Sequence, residues 1–224
     1  MKKLTAWDRK QIERMDNLSN MLNQLYEDKT LSDDEILPLV KKVAREPREE
    51  VNHYREAFFT TSGYVDKMIA IGSRHEDNVK ILGEILNGLA AVAERYDEPS
   101  TTAKKSLSQK EVQATYDFIV KHIGRPEKII RKYLAWSFPV HPLFLQYDKK
   151  WEFLLSILEL TPKIDFMITF RQFVNLHIES LPNEVIRQYI PILKSHRIEI
   201  KKRHTDYNDD DDIDVISELE RRVE

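Results

Sequence analysis

Three times along this chain a serine is followed, three residues later, by a glutamate at the head of an apolar run: Ser32 and Glu35, Ser73 and Glu76, Ser108 and Glu111. At that spacing the hydroxyl and the carboxylate can each accept the other residue's backbone amide, which marks a helix start. Behind each start, apolar residues recur every three or four positions, the period of a helix face. Only five glycines are present, and a strand-rich fold needs many tight turns. The chain therefore reads as all-α.

The periodicity predicts a first helix over 5–27, with Met15, Leu18, Leu22 and Leu25 as its stripe, and a second ending near Glu46, ahead of Pro47. A third is expected over 48–71, weakened at Gly63 and closed by Gly72 in a left-handed conformation. A fourth is expected over 74–96, starting from Ser73. Helices over 109–123, 126–137, 148–160, 163–179 and 183–203 follow, and a short amphipathic one over 214–223. About nine or ten helices with short joints suggest a bundle or a short solenoid of the HEAT or TPR kind. The likeness is one of architecture, since no repeat period is present.

The bulkiest apolar volume lies between Trp136 and Phe173, where Phe138, Phe144, Tyr147, Trp151, Phe153, Phe166 and Phe170 crowd together. This reads as the main core, because large rings dominate core energetics. The prolines of Phe138-Pro139-Val140-His141-Pro142 bias their predecessors toward extended geometry, so this segment is expected as a rigid connector. Residues 97–108, polar and Pro/Ser/Thr-rich, read as a linker between helical regions 1–96 and 109–203. Residues 204–224 read as an acidic hinge with a detachable last helix.

The chain has no cysteine, which removes disulfides, thiol nucleophiles and thiolate metal sites. A formal net charge of −3 gives no global field toward nucleic acid or anionic lipid. No apolar run reaches the length of a membrane span; Ile81–Ala93 is too short and contains Glu84. A cytoplasmic protein without a membrane partner is expected.

Candidate chemistry is sparse. Arg48 with His53, and Arg171 with His177, have the Arg-x4–6-His spacing of HEPN-type ribonucleases. With this many arginines and histidines, about one or two such pairs arise by chance. The other reading makes Arg48 a surface residue and His177 a partly buried polar side chain. Glu50 and His53 form one Glu-x-x-His unit, where di-iron carboxylate bundles need two. Asp206, Asn208, Asp210 and Asp212 fall on positions 1, 3, 5 and 7 of a calcium loop. Asp211 replaces the required turn glycine, and Ser217 the bidentate glutamate. His141 reads as a hydrogen-bonded core histidine. No cofactor is expected, and an enzyme is less expected than a non-enzymatic protein.

The favoured reading is a protein–protein interaction, scaffold or adaptor protein. Its expected contacts are the first stripe (Met15, Leu18, Leu22, Leu25) and the last helix (Ile216, Leu219), engaging a protein partner or a second copy. The alternative is a nucleic-acid-associated protein. It would use two basic clusters, Lys128, Arg131 and Lys132 within 121–132, and Lys194, Arg197, Lys201, Lys202 and Arg203 within 194–204.

Overall fold

The computed structural model describes residues 4–48, 53–93, 107–158 and 164–224. Among these are eleven α-helices and no strand. The helices are α1 (Ala6–Glu27), α2 (Asp33–Arg45), α3 (His53–Thr61), α4 (Tyr64–Arg74), α5 (Val79–Ala93), α6 (Gln109–His122), α7 (Lys128–Ser137), α8 (Lys150–Leu158), α9 (Ile164–His177), α10 (Asn183–Arg203) and α11 (Asp210–Val223). Among the described residues no helix is long and apolar enough to cross a membrane.

The helix starts obey local chemistry. Thr5 caps α1 in a reciprocal box with Asp8, and the Ser32–Glu35 and Ser108–Glu111 boxes form as expected. The Ser73–Glu76 box does not. Ser73 stays inside α4, and α5 starts instead at Asn78, whose Oδ1 accepts the amides of Lys80 and Ile81 (both 3.1 Å). Glu76 is drawn away to an ion pair with Lys121 of α6. The helix expected over 48–71 is two helices. Gly63, at φ 67°, takes the left-handed conformation that breaks them apart.

Gly72 is not a left-handed terminus. It lies within α4, and a Cβ there would meet Phe118 Cζ at 2.7 Å and Ile85 Cγ2 at 3.1 Å. Its role is to let α6 approach α4.

The chain divides into two compact units. The first is Met1–Leu134 with His141–Leu143, and the second is Ala135–Val140 with Phe144–Glu224. The division falls at 134–135, and α6 packs on α4 and α5 within the first unit. Residues 97–106 lie outside the described residues. Leu107 is buried, and Ser108 caps α6.

In the first unit α2 packs on α5 and α1, while α4 meets α1, α5 and α6. The α1 stripe faces inward: Met15, Leu18, Leu22 and Leu25 are at most 8% exposed. These four side chains are therefore core, and the expectation that they offer a partner surface is corrected by their burial. Burying each contributes roughly 1.5–3 kcal/mol, which is why an apolar stripe goes to its own domain first.

The second unit is built on the aromatic stretch. Phe138 meets Phe144 (5.0 Å between centroids) and Phe153 (5.4 Å), and Phe144 meets Phe173 (5.5 Å). Phe138–Val140 forms a buried 3-10 turn rather than an extended connector. Helix α11 packs on α10 and α9, burying Ile216 and Leu219. These two are core as well, so neither a partner contact nor a detachable tail describes them. The helix also starts at Asp210, four residues earlier than expected, because aspartates suit the positive N-terminal end of a helix dipole.

Candidate interaction site

The polar clusters sort into those that tie the core and those that reach the surface. In the first unit Glu84 is buried under Arg45 and Tyr133. Arg45 Nε donates to Glu84 Oε2 (2.8 Å) and its Nη2 to Oε1, and the Tyr133 hydroxyl donates to Oε1 (2.9 Å). The carboxylate raises the Arg45 pKa. Burial, then the same carboxylate, raises that of Tyr133.

His141 is also a tie point. Its Nδ1 accepts the Leu143 amide (3.1 Å), which places the ring proton on Nε2. Nε2 then donates to Thr115 Oγ1 (3.0 Å), which donates to the Val112 carbonyl (2.7 Å). Burial pushes the His141 pKa down to about 4, so the ring is neutral at pH 7. It holds structure and is not poised for proton transfer.

Arg171 and His177 are each held by other groups, and the side chains of Arg48 and His53 lie outside the described residues. Arg48 ends a 3-10 turn and His53 opens α3. They flank 49–52, which lie outside the described residues together with Glu50 and both side chains of the pair. Arg171 is spent on α11: its Nη1 donates to Asp211 Oδ2 (2.9 Å) and lies 3.4 Å from Asp212 Oδ1. His177 lies against the Phe173 ring at 5.3 Å, with its pKa lowered by burial.

The calcium-loop reading also fails. Asp210 and Asp212 are in the first turn of α11, where a calcium loop must remain open, and Asn208 Oδ1 accepts the Asp210 amide (3.0 Å). Asp212 is buried and accepts the Tyr207 hydroxyl (2.9 Å). Among the described residues no three His, Asp or Glu side chains form a metal-binding group.

The basic end of α10 is folded against the acidic segment. Lys194 pairs with Glu220, Arg197 lies 3.5 Å from Asp209, Lys201 binds Asp209 at 2.9 Å, and Arg203 binds Glu199 at 2.9 Å. Lys202 is exposed. In the other cluster Lys121 and Arg125 pair with Glu76 and Glu127. Lys128 and Arg131 are exposed, and the Lys132 ammonium stands 5.9 Å from the Tyr133 ring centre.

A groove lies between α9 and α11, with a volume of about 460 Å3. Ile168, Arg171, Gln172 and Asn175 line it from α9, and Asp211, Asp214 and Val215 from α11. Helix α9 carries apolar residues outside its buried side as well, among the polar Arg171, Gln172 and Asn175. Met167, Phe170, Phe173 and Val174 are buried, whereas Ile168 is 38% and Leu176 63% exposed. The sequence does not separate this outer face from the core, because Ile168 falls within the Trp136–Phe173 stretch and Leu176 lies just beyond it; the available signal is an apolar stripe too wide for one buried face.

Compared with known proteins, the chain matches no family model, no curated protein and no solved structure.

Proposed function

We propose that the chain is a non-enzymatic interaction protein that docks an amphipathic helix of a protein partner in the α9–α11 groove. The observation that carries this reading is the outer face of α9, where Leu176 and Ile168 stay in solvent although the opposite face already fills the core. Ile168 and Val215 line the groove and Leu176 stands two helical turns from Ile168 on α9, a spacing at which a docked helix could set its apolar anchors.

The groove also sets the partner's chemistry. Asp214 and Asp211 are exposed on the α11 side, and the Gln172 and Asn175 amides lie across from them. A partner helix with apolar anchors toward α9 and Lys or Arg toward α11 complements this arrangement. The anchors supply affinity, and the rim charges set orientation and encounter rate.

The test is a chemical cross-linking capture from cells that make the protein, comparing wild type with Leu176→Glu and Ile168→Glu and read by mass spectrometry. Loss of the same cross-linked proteins from both variants supports the groove. Retention of all of them overturns it. Light scattering of wild type and Leu176→Glu identifies a second copy as the occupant if only the wild type self-associates, and that result replaces the partner helix.

A further inference from the structure

Asp209 stands in the N-cap position of α11 and does not cap with its side chain. Its carbonyl accepts the Ile213 amide (3.0 Å), as an N-cap carbonyl should, yet its carboxylate makes no bond to the leading amides of the helix. That carboxylate is turned onto α10 instead, with Oδ1 at 2.9 Å from Lys201 Nζ and Oδ2 at 3.5 Å from Arg197 Nη1. Aspartate is among the best N-cap residues, but at φ −110° and ψ 14° Asp209 is outside the extended conformation a cap needs, and its carboxylate is left to the two cations.

Arg197 and Lys201 are one turn apart on α10, and Lys194 lies one turn earlier on the same face, held by Glu220. The rise of a helix sets these cations about 5 Å apart along its axis. All three stay partly open to solvent: Lys194 is 50%, Arg197 31% and Lys201 45% exposed at the side chain. A row of single positive charges a few ångströms apart complements a nucleic-acid strand, which carries negative charge at comparable intervals.

We infer that the α10 face carrying Lys194, Arg197 and Lys201 is a backbone-phosphate site for single-stranded nucleic acid, and that the Asp209 carboxylate occupies it in the free protein. When a strand phosphate takes Arg197 and Lys201, the Asp209 backbone swings from ψ 14° to the extended conformation of a cap, and the displaced carboxylate accepts the Asp211 and Asp212 amides and caps α11. The displaced charge therefore gains partners, and Ile216 and Leu219 stay in the core. A single strand fits better than a duplex, because the exposed Asp206 and Asp210 adjoin Asp209 in the chain and would repel the phosphates of a second strand. This site is separate from the α9–α11 groove and does not depend on it.

The test is fluorescence anisotropy with a fluorescein-labelled 20-nucleotide thymidine strand at low and at higher salt. Wild type is compared with Asp209→Asn, with Asp117→Asn as an equal charge change at an exposed position of α6, and with Asp209→Asn combined with Arg197→Ala and Lys201→Ala. Asp209→Asn is expected to bind roughly fivefold tighter than wild type and Asp117→Asn at 50 mM salt, with the gain shrinking at 200 mM. The combined variant is expected to lose the gain. In wild type, NMR is expected to show the Asp211 and Asp212 amides shifting as the strand is added.

Equal binding by Asp209→Asn and Asp117→Asn overturns the inference, as does a gain that survives loss of Arg197 and Lys201. Equal gain with a duplex of the same length overturns the single-strand assignment. The same amide shifts with inorganic phosphate alone place a small anion there instead and also overturn it. If Asp209→Asn melts below wild type, Asp209→Ser removes the charge and keeps a capping side chain, and the same comparisons are read on that variant.

Discussion

Each unit of this chain joins an arginine, a carboxylate and a tyrosine hydroxyl into one cluster, and the two clusters are finished differently. In Arg45–Glu84–Tyr133 both carboxylate oxygens accept hydrogen bonds. In Arg171–Asp212–Tyr207, Asp212 Oδ2 accepts from Tyr207, while Oδ1 is buried with no hydrogen bond and Arg171 at 3.4 Å. Burial raises the Asp212 pKa, and burial with the adjacent carboxylate pushes that of Tyr207 up to about 12. A fully bonded buried carboxylate locks helices together. One left partly unbonded pays desolvation without full return, and such a cluster is easier to open.

The largest effect that can break this comparison comes from removing each arginine. Arg45→Ala strands the buried Glu84 charge and is expected to cost about 3–5 kcal/mol in urea unfolding at pH 7. Glu84→Ala is expected to cost less, because the Arg45 side chain is 50% exposed and its guanidinium can turn to water. Arg171→Ala is expected to cost about 2 kcal/mol at pH 7 and progressively less as the pH falls, because the raised Asp212 pKa makes proton uptake easier than for an ordinary aspartate. Equal costs for Arg45→Ala and Arg171→Ala at pH 7 and at lower pH would show that the two clusters are equivalent.

The next effect separates the units by pH. The folded-state pKa of His141 is below its unfolded value, so its contribution is whole above about pH 6.5 and is lost as pH falls toward about 4. Between pH 7 and pH 5 this amounts to about 2 kcal/mol. His122, lowered chiefly by burial, acts in the same direction. Asp212 acts oppositely: its raised pKa means that the folded protein takes up the proton more readily, so this group adds stability as pH falls. In His141→Gln the side chain can still donate to Thr115 but cannot titrate. The decline in unfolding free energy from pH 7 to pH 5 is expected to flatten in that variant, and an unchanged decline would remove His141 as its source.

A smaller effect tests whether glycine in α4 serves packing. In an ordinary helix interior Gly→Ala stabilises by about 1 kcal/mol. At Gly72 the new methyl would press on Phe118, and overpacking costs about 1–3 kcal/mol. Gly72→Ala is therefore expected to lower stability by about 1 kcal/mol net, and Phe118→Leu in the same protein to recover part of it. A variant more stable than wild type would show that the α4–α6 contact yields freely.

How much of this was legible depends on the range of the interaction concerned. Helix α10 has the bounds that Leu181-Pro182 and the basic end announce, because caps and prolines act over one turn. The start of α5 was misplaced because Glu76 is claimed by Lys121, 45 residues away. The start of α11 was misplaced because the aspartate run was weighed as solvated charge rather than as a first helical turn. The α1 and α11 stripes were legible as apolar faces, but a stripe does not say whether its cover is the same chain or another. Arg171 stood out only for its distance from His177. Its real partners lie on a helix forty residues later, which no local spacing reports. The outer face of α9 was the least legible, since an apolar residue in solvent and one in the core look alike in a sequence.

The smallest expected effect is also the most selective for the open cluster. Asp211 is 78% exposed and meets Arg171 at the lip of the groove, so Asp211→Asn is expected to change stability by no more than about 0.5 kcal/mol. Removing that charge leaves Arg171 with Asp212 as its remaining carboxylate, and the guanidinium is expected to settle closer to Oδ1. The Asp212 pKa should then fall from its raised position, since the nearby like charge has gone and the opposite charge is nearer. NMR titration of the Asp212 side chain in the two proteins reads this directly. An unchanged midpoint would mean that Asp212 is governed by burial and Tyr207 alone, and that Arg171 belongs to the groove rather than to the core.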